Sequence, residues 1–104
     1  MREPDIVLAI FEAAFESKSE VHEYIAASLG LPEYYGKNLD ALRDCLGDIS
    51  EPTLISLVRT REEADLAQWF DKLALALMIA ARENPVLDVE IVFEDALEDI
   101  WGED

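Results

Sequence analysis

The chain has 104 residues, with 24 acidic against 8 basic, a formal net charge of −16 at pH 7, and a hydrophobic share of 51%. That length holds one domain with a genuine core and leaves no room for a second, and the apolar share separates it from disordered chains. A field of this sign repels nucleic acid and anionic membranes and attracts cationic partners, although solubility alone is an equally good reason for it.

In chain order, Ile6 to Phe11 is a continuous apolar run of strand formers, which suits a central strand covered on both faces of a parallel sheet. It is too short for a membrane span and lacks a small-residue cleavage site. With a single cysteine, Cys45, an internal disulfide is impossible, so the cytoplasm is the expected compartment. Ser19 is placed to cap a helix over residues 19–29, with Val21, Tyr24, Ile25 and Leu29 on one face and Gly30, Leu31 and Pro32 as its stop. Asn38 opens a second helix through Asp48, whose apolar arc is Leu39, Leu42, Cys45 and Leu46. Thr53 to Val58 reads as the next strand.

Thr60, Arg61, Glu62 and Glu63 match a capping box ahead of a long helix. The later half of that helix, Leu73 to Ala81, is apolar on nearly every side, which implies either deep packing or a break into two pieces. Asn84 and Pro85 end it, and the last strand runs from Val86 to Phe93, with Leu87, Val89, Ile91 and Phe93 opposite Asp88 and Glu90. The order β-α-α-β-α-β predicts a single small α/β domain with a three-stranded parallel sheet packed with helices and right-handed crossovers. Beyond it, Glu94 to Asp104 is acidic, with Leu97, Ile100 and Trp101 spaced as a short amphipathic turn that either docks or frays.

Catalytic chemistry is poorly supplied. There is no glycine-rich phosphate loop, no nucleophile elbow and one histidine, so an enzyme is not expected. The carboxylates lack calcium-loop spacing, and neither a metal nor a cofactor is expected. His22 reads as a structural or surface histidine, Cys45 as a small packed hydrophobe, Trp69 as core packing, and Trp101 as either a docking anchor or an exposed contact.

Asp40 and Asp44 are more informative. At about 100° per residue they share the helix face opposite the apolar arc, so both should reach solvent. As like charges one turn apart they repel, and only Asp40 lies near enough to the helix N-terminus to gain from it. Tyr34, Tyr35 and Gly36 immediately precede the helix. They set aromatic rings beside the carboxylates, with Tyr35 expected inward and Tyr34 outward. The acids are either an ordinary solvated face or a contact surface.

The segment Leu31-Pro32-Glu33-Tyr34-Tyr35-Gly36-Lys37-Asn38-Leu39-Asp40-Ala41-Leu42-Arg43-Asp44-Cys45-Leu46 closely resembles, without a gap, the signature segment of the barstar family. Ser19, His22 and the strand-helix order agree as well. The resemblance implies a barstar-like domain over 1–93 with an acidic C-terminal extension over 94–104. It further implies an intracellular inhibitor that binds a basic barnase-type ribonuclease one to one, is monomeric when free, and contacts no nucleic acid or membrane. Asp44 then matches the acid placed where a substrate phosphate would bind, Asp40 a second acid against basic side chains, and Tyr34 a ring packed on the catalytic centre. Gly36, Asn38 and Arg43 complete the implied contact segment, and Glu83 is the candidate for a family glutamate near the end of the third helical region. Arg43 departs from the family, which commonly carries a large aromatic there. A cation facing a basic nuclease is repulsive unless it turns aside or meets an acid, which leaves open an interaction module with a different toxin or a regulatory partner.

Overall fold

The structure, a computed structural model, describes residues 3–33, 35–60 and 66–93. Runs rich in branched and aromatic residues form three strands, β1 (Ile6–Phe11), β2 (Thr53–Arg59) and β3 (Leu87–Phe93). Between them lie a 3-10 turn at Glu12–Ala14 and the helices α1 (Lys18–Leu29), α2 (Leu39–Gly47) and α3 (Ala67–Glu83). Both strand pairs are parallel, with Leu8 opposite Ile55 and Ile55 opposite Val89. The expected α/β domain is therefore the one observed.

Strand order is β1-β2-β3. Two crossovers that advance in the same direction place β2 in the middle, so β1 is an edge strand and not the central one that its apolar run suggested. The alternation explains the error. Leu8 and Ile10 face the core, whereas Val7 and Phe11 on the other face are 63% and 48% exposed. All three helices join the first face: Val21 and Ile25 of α1, Leu42 and Leu46 of α2, and Phe70, Leu73 and Leu77 of α3 form one cluster with Leu8, Ile10, Ile55, Leu57 and Leu87. Each of these large side chains, once fully buried, contributes about 1.5–3 kcal/mol.

The cap of α1 is Ser17, not Ser19. Its side chain accepts from the Glu20 amide at 3.2 Å, and Glu20 in turn accepts from the Glu16 amide at 2.8 Å. Only Ser17 has a glutamate three residues on, and that side chain takes the amide one residue before the cap, a variant of the capping box that Ser19, followed by His22, cannot make. Gly30 ends the helix at φ 66°, a left-handed conformation that glycine adopts without strain. Tyr24 leaves the expected apolar face. It is 38% exposed, and its hydroxyl donates to the Ala9 carbonyl on the open edge of β1 at 2.7 Å.

Arg61, Glu62 and Glu63 of the expected capping box lie outside the described residues, and α3 begins at Ala67 with Leu66 as its cap residue, without a side-chain cap bond. The helix is continuous over 17 residues. Its apolar surplus does not signify deep packing, because Leu75 and Met78 are 60% and 51% exposed. The acidic extension and Trp101 also fall outside the described residues.

Among the described residues, one ion pair is enclosed. Arg59, at the end of β2 on the core side, donates from Nε to Glu12 Oε1 at 2.7 Å, and its Nη1 lies 3.0 Å from Asp71. Glu12 Oε1 also accepts from the Thr60 amide at 3.2 Å, while Glu12 Oε2 is buried without a hydrogen-bond partner.

Candidate functional site

The loop after α1 and the helix that follows are organised by a few side chains. Asn38 Oδ1 accepts from the Ala41 amide at 2.8 Å, the expected cap, and its Nδ2 reaches back to the Gly36 carbonyl at 3.4 Å. Gly36 leaves room for that amide: a Cβ at 36 would stand 3.3 Å from Asn38 Nδ2. Lys37 adopts φ 54° and pairs with Glu23 of α1 at 3.0 Å. Both side chains are about half exposed or more, so this pair contributes little stability.

Behind the loop, Tyr35 points inward as expected, 8% exposed, and its hydroxyl is hydrogen-bonded to His22 Nδ1. Burial pushes the tyrosine pKa up to about 12. Burial also lowers the His22 pKa, and the Lys37 charge adds to that. Trp69 stands edge-on to His22 and to Phe70 with centroids 5.4 and 5.3 Å away. His22 is thus a structural histidine that anchors the loop. The partner it finds 13 residues on had no signal in the sequence beyond the inward setting of Tyr35.

At its far end, α2 is tied to the end of α3. Asn84, 6% exposed, donates from Nδ2 to the carbonyls of Leu46 and Ile49, both at 2.9 Å, and its Oδ1 accepts from the Val86 amide at 3.1 Å. The sequence marks Asn84 as a helix stop; its role in satisfying carbonyls at the end of another helix comes from the tertiary fold. With Leu42 and Leu46 fully buried beneath it, α2 is a short helix fixed at both ends.

Asp40 and Asp44 are both exposed on its outer face. Asp48, the C-cap residue, continues the row at the same spacing of four and is exposed as well. Sequence reading stopped at two acids, although the i, i+4, i+8 spacing was there to be extended. Among the described residues, none of the three carboxylates has a hydrogen bond or ion pair. Each neighbouring pair opposes the fold by about 0.2–0.5 kcal/mol, and Asp48 also stands at the unfavourable end of the helix dipole. Among the described residues the one offsetting term is the helix N-terminus, which favours Asp40 alone. Cys45 lies beside the row, half-buried, and burial followed by the charges of Asp48 and Asp44 raises its thiol pKa. A shallow cleft of about 360 Å³, lined in part by Leu31, Pro32, Asp44, Cys45, Asp48 and Glu51, adjoins the same acids.

Arg43 turns away from this face. Its Nη2 lies 3.7 Å from Glu83 Oε2 in the last turn of α3, close enough for an ion pair and too long for a hydrogen bond, and its Nε is buried without a partner. The structure therefore joins Gly36 to Asn38 ahead of α2 and Arg43 to Glu83 across α2 and α3, with Asp40 and Asp44 exposed on α2 between them in sequence. Tyr34 lies outside the described residues.

Comparison with known proteins places residues 7–101 in a match to the family model described as Barstar (barnase inhibitor). That match runs past Phe93 and includes most of the acidic extension. A relative from Bacillus subtilis (strain 168), named "Putative ribonuclease inhibitor YrdF", is 50% identical over 32 residues. The shared stretch amounts to 31% of this chain and 35% of that protein's length.

Proposed function

The chain belongs to the barstar family, and on that premise we propose that it is a cytoplasmic inhibitor of the immunity or antitoxin type that binds a basic extracellular ribonuclease one to one and blocks its active site. Asp44 takes the place of a substrate phosphate, Asp40 meets neighbouring cations, and Tyr34 packs on the catalytic centre. The observation that carries this reading is the row of carboxylates on a helix held at both ends, which costs stability and has no hydrogen-bond or ion-pair partner among the described residues. A carboxylate imitates the charge of a phosphate without offering a bond to break, so inhibition follows from occupancy alone. Rigidity of α2 reduces the ordering cost of binding. The charge of −16 speeds encounter with a cationic enzyme, and charge pairs desolvated on docking slow release.

Calorimetric titration against a barnase-type ribonuclease, run beside an RNA-cleavage assay, tests this. Binding at one to one with loss of cleavage is expected. Asp44→Ala should weaken binding about 30-fold or more, whereas Asp88→Ala, on the opposite face of the sheet, should change it less than about twofold. Absence of binding and inhibition refutes the function, and equal losses from the two substitutions refute the site.

A further inference from the structure

We infer that Glu83 is a positioning residue that sets the specificity of the α2 face by holding Arg43 off it, and that it acts through Arg43 and not by touching the partner. This rests on the proposed inhibitory role of that face. Arg43 follows Asp40 by three residues and immediately precedes Asp44. On a helix, residues three apart are neighbours able to pair, so Asp40 is the nearest alternative partner for the guanidinium. Were that pair to form, it would neutralise one of the acids meant for a cationic cleft and leave a positive charge beside the other.

The geometry describes a restraint that is present and weak. The Arg43–Glu83 contact is 3.7 Å, with Arg43 37% and Glu83 64% exposed. It is neither bidentate nor hydrogen-bonded, and the buried Nε finds no acceptor, so packing of the stem and one charge contact from α3 together direct the guanidinium, and Glu83 is the only charged group of the two restraints. Asn84 fixes the level at which α3 ends against α2, and the preceding residue, Glu83, is thereby held within reach. With Glu83 in place, Asp40 and Asp44 stand free and the cation is directed to the seam between α2 and α3. A partner that fits must leave that seam empty or meet it with an acceptor. A uniformly basic surface is penalised there.

A double-mutant cycle separates this from direct contact. Affinity and association rate for a barnase-type ribonuclease are measured for the wild-type chain, E83Q, R43Q and the double variant, with circular dichroism to confirm that all four keep the fold. E83Q should weaken binding in the Arg43 chain at least about threefold more than in the R43Q chain, because only the former has a cation to release onto Asp40. R43Q should correspondingly improve binding more in the E83Q background than alone. Any long-range effect of removing one negative charge is common to both arms and cancels. If wild type binds and E83Q costs the same with or without Arg43, Glu83 touches the partner itself and this inference is overturned while the inhibitory role stands. If wild type does not bind the ribonuclease, the proposed function falls and this inference falls with it.

Discussion

Glu12→Ala should be the most damaging single change outside the apolar core. The Glu12 carboxylate is 1% exposed and accepts from Arg59 Nε at 2.7 Å and from the Thr60 amide at 3.2 Å. Two hydrogen bonds to a charged, enclosed acceptor contribute about 1.5–3 kcal/mol each, or about 3–6 kcal/mol together. Against this stands the second carboxylate oxygen, Oε2, buried with no partner. Its desolvation already costs the native state about 1–3 kcal/mol, and the substitution removes that cost too. At the middle of each range, about 4.5 less about 2 kcal/mol leaves a net loss of about 2.5 kcal/mol, a little below the range for breaking a buried ion pair by deleting one partner and a large part of the roughly 5–15 kcal/mol typical of a whole domain. In urea titrations with a slope of about 1.5 kcal/mol/M, the midpoint should fall by about 1.7 M at unchanged slope. Asp71→Ala is the control: it removes a carboxylate 3.0 Å from the same guanidinium but 70% exposed, and should cost less than about 1 kcal/mol. A Glu12→Ala loss below about 1 kcal/mol, or one equal to that of Asp71→Ala, would refute the claim that enclosure gives this pair its weight.

Stability should also respond to His22. Its folded-state pKa lies below the ordinary value of 6.5 because of burial and then Lys37, so just below pH 6.5 the unfolded chain binds more protons than the folded one. Stability should therefore hold steady above pH 6.5 and fall as the pH drops from there toward the folded pKa; urea midpoints from pH 7.5 to 5.5 should show this decline for wild type and a shallower one for His22→Gln, and identical profiles would refute it. Asn84→Ala removes two donations to the carbonyls at the end of α2 and should lower stability by about 1–3 kcal/mol, with hydrogen exchange rising in α2 more than in β2. Uniform exchange changes would show that Asn84 does not specifically fix that helix.

Local chemistry made much of this molecule legible from its residues. The Asn38 cap, the spacing of Leu42 and Leu46, and the branched runs of β2 and β3 each specify an element with little help from elsewhere. Reading failed where distant parts decide. Ile6 to Phe11 looks central because its residues are apolar on both sides, yet strand position depends on where the later strands add, and they all add on one side. Ser17 and Ser19 are equivalent caps until the position of Glu20 is considered. Within the site, the exposure of Asp40 and Asp44 follows from helical period alone. The pairing of Arg43 with Glu83 does not, since it depends on α3 ending level with α2, which Asn84 arranges across 38 residues of chain.

The placement of β1 has a further consequence. A strand edge is a template on which another chain can add, and the edge of β1, which pairs only with β2 among the described residues, adjoins a sheet face that shows Val7 and Phe11 to solvent. Tyr24 occupies one acceptor on that edge, the Ala9 carbonyl, as a gatekeeper against such pairing. The rest of the protection is collective: at neutral pH any two copies approach as strongly charged anions, and near the isoelectric point of about 4.1 that repulsion vanishes while the apolar face stays as it is. Acidity of this kind opposes self-association through the opposite side of the molecule, so neutralising substitutions far from α2 should bear on colloidal behaviour.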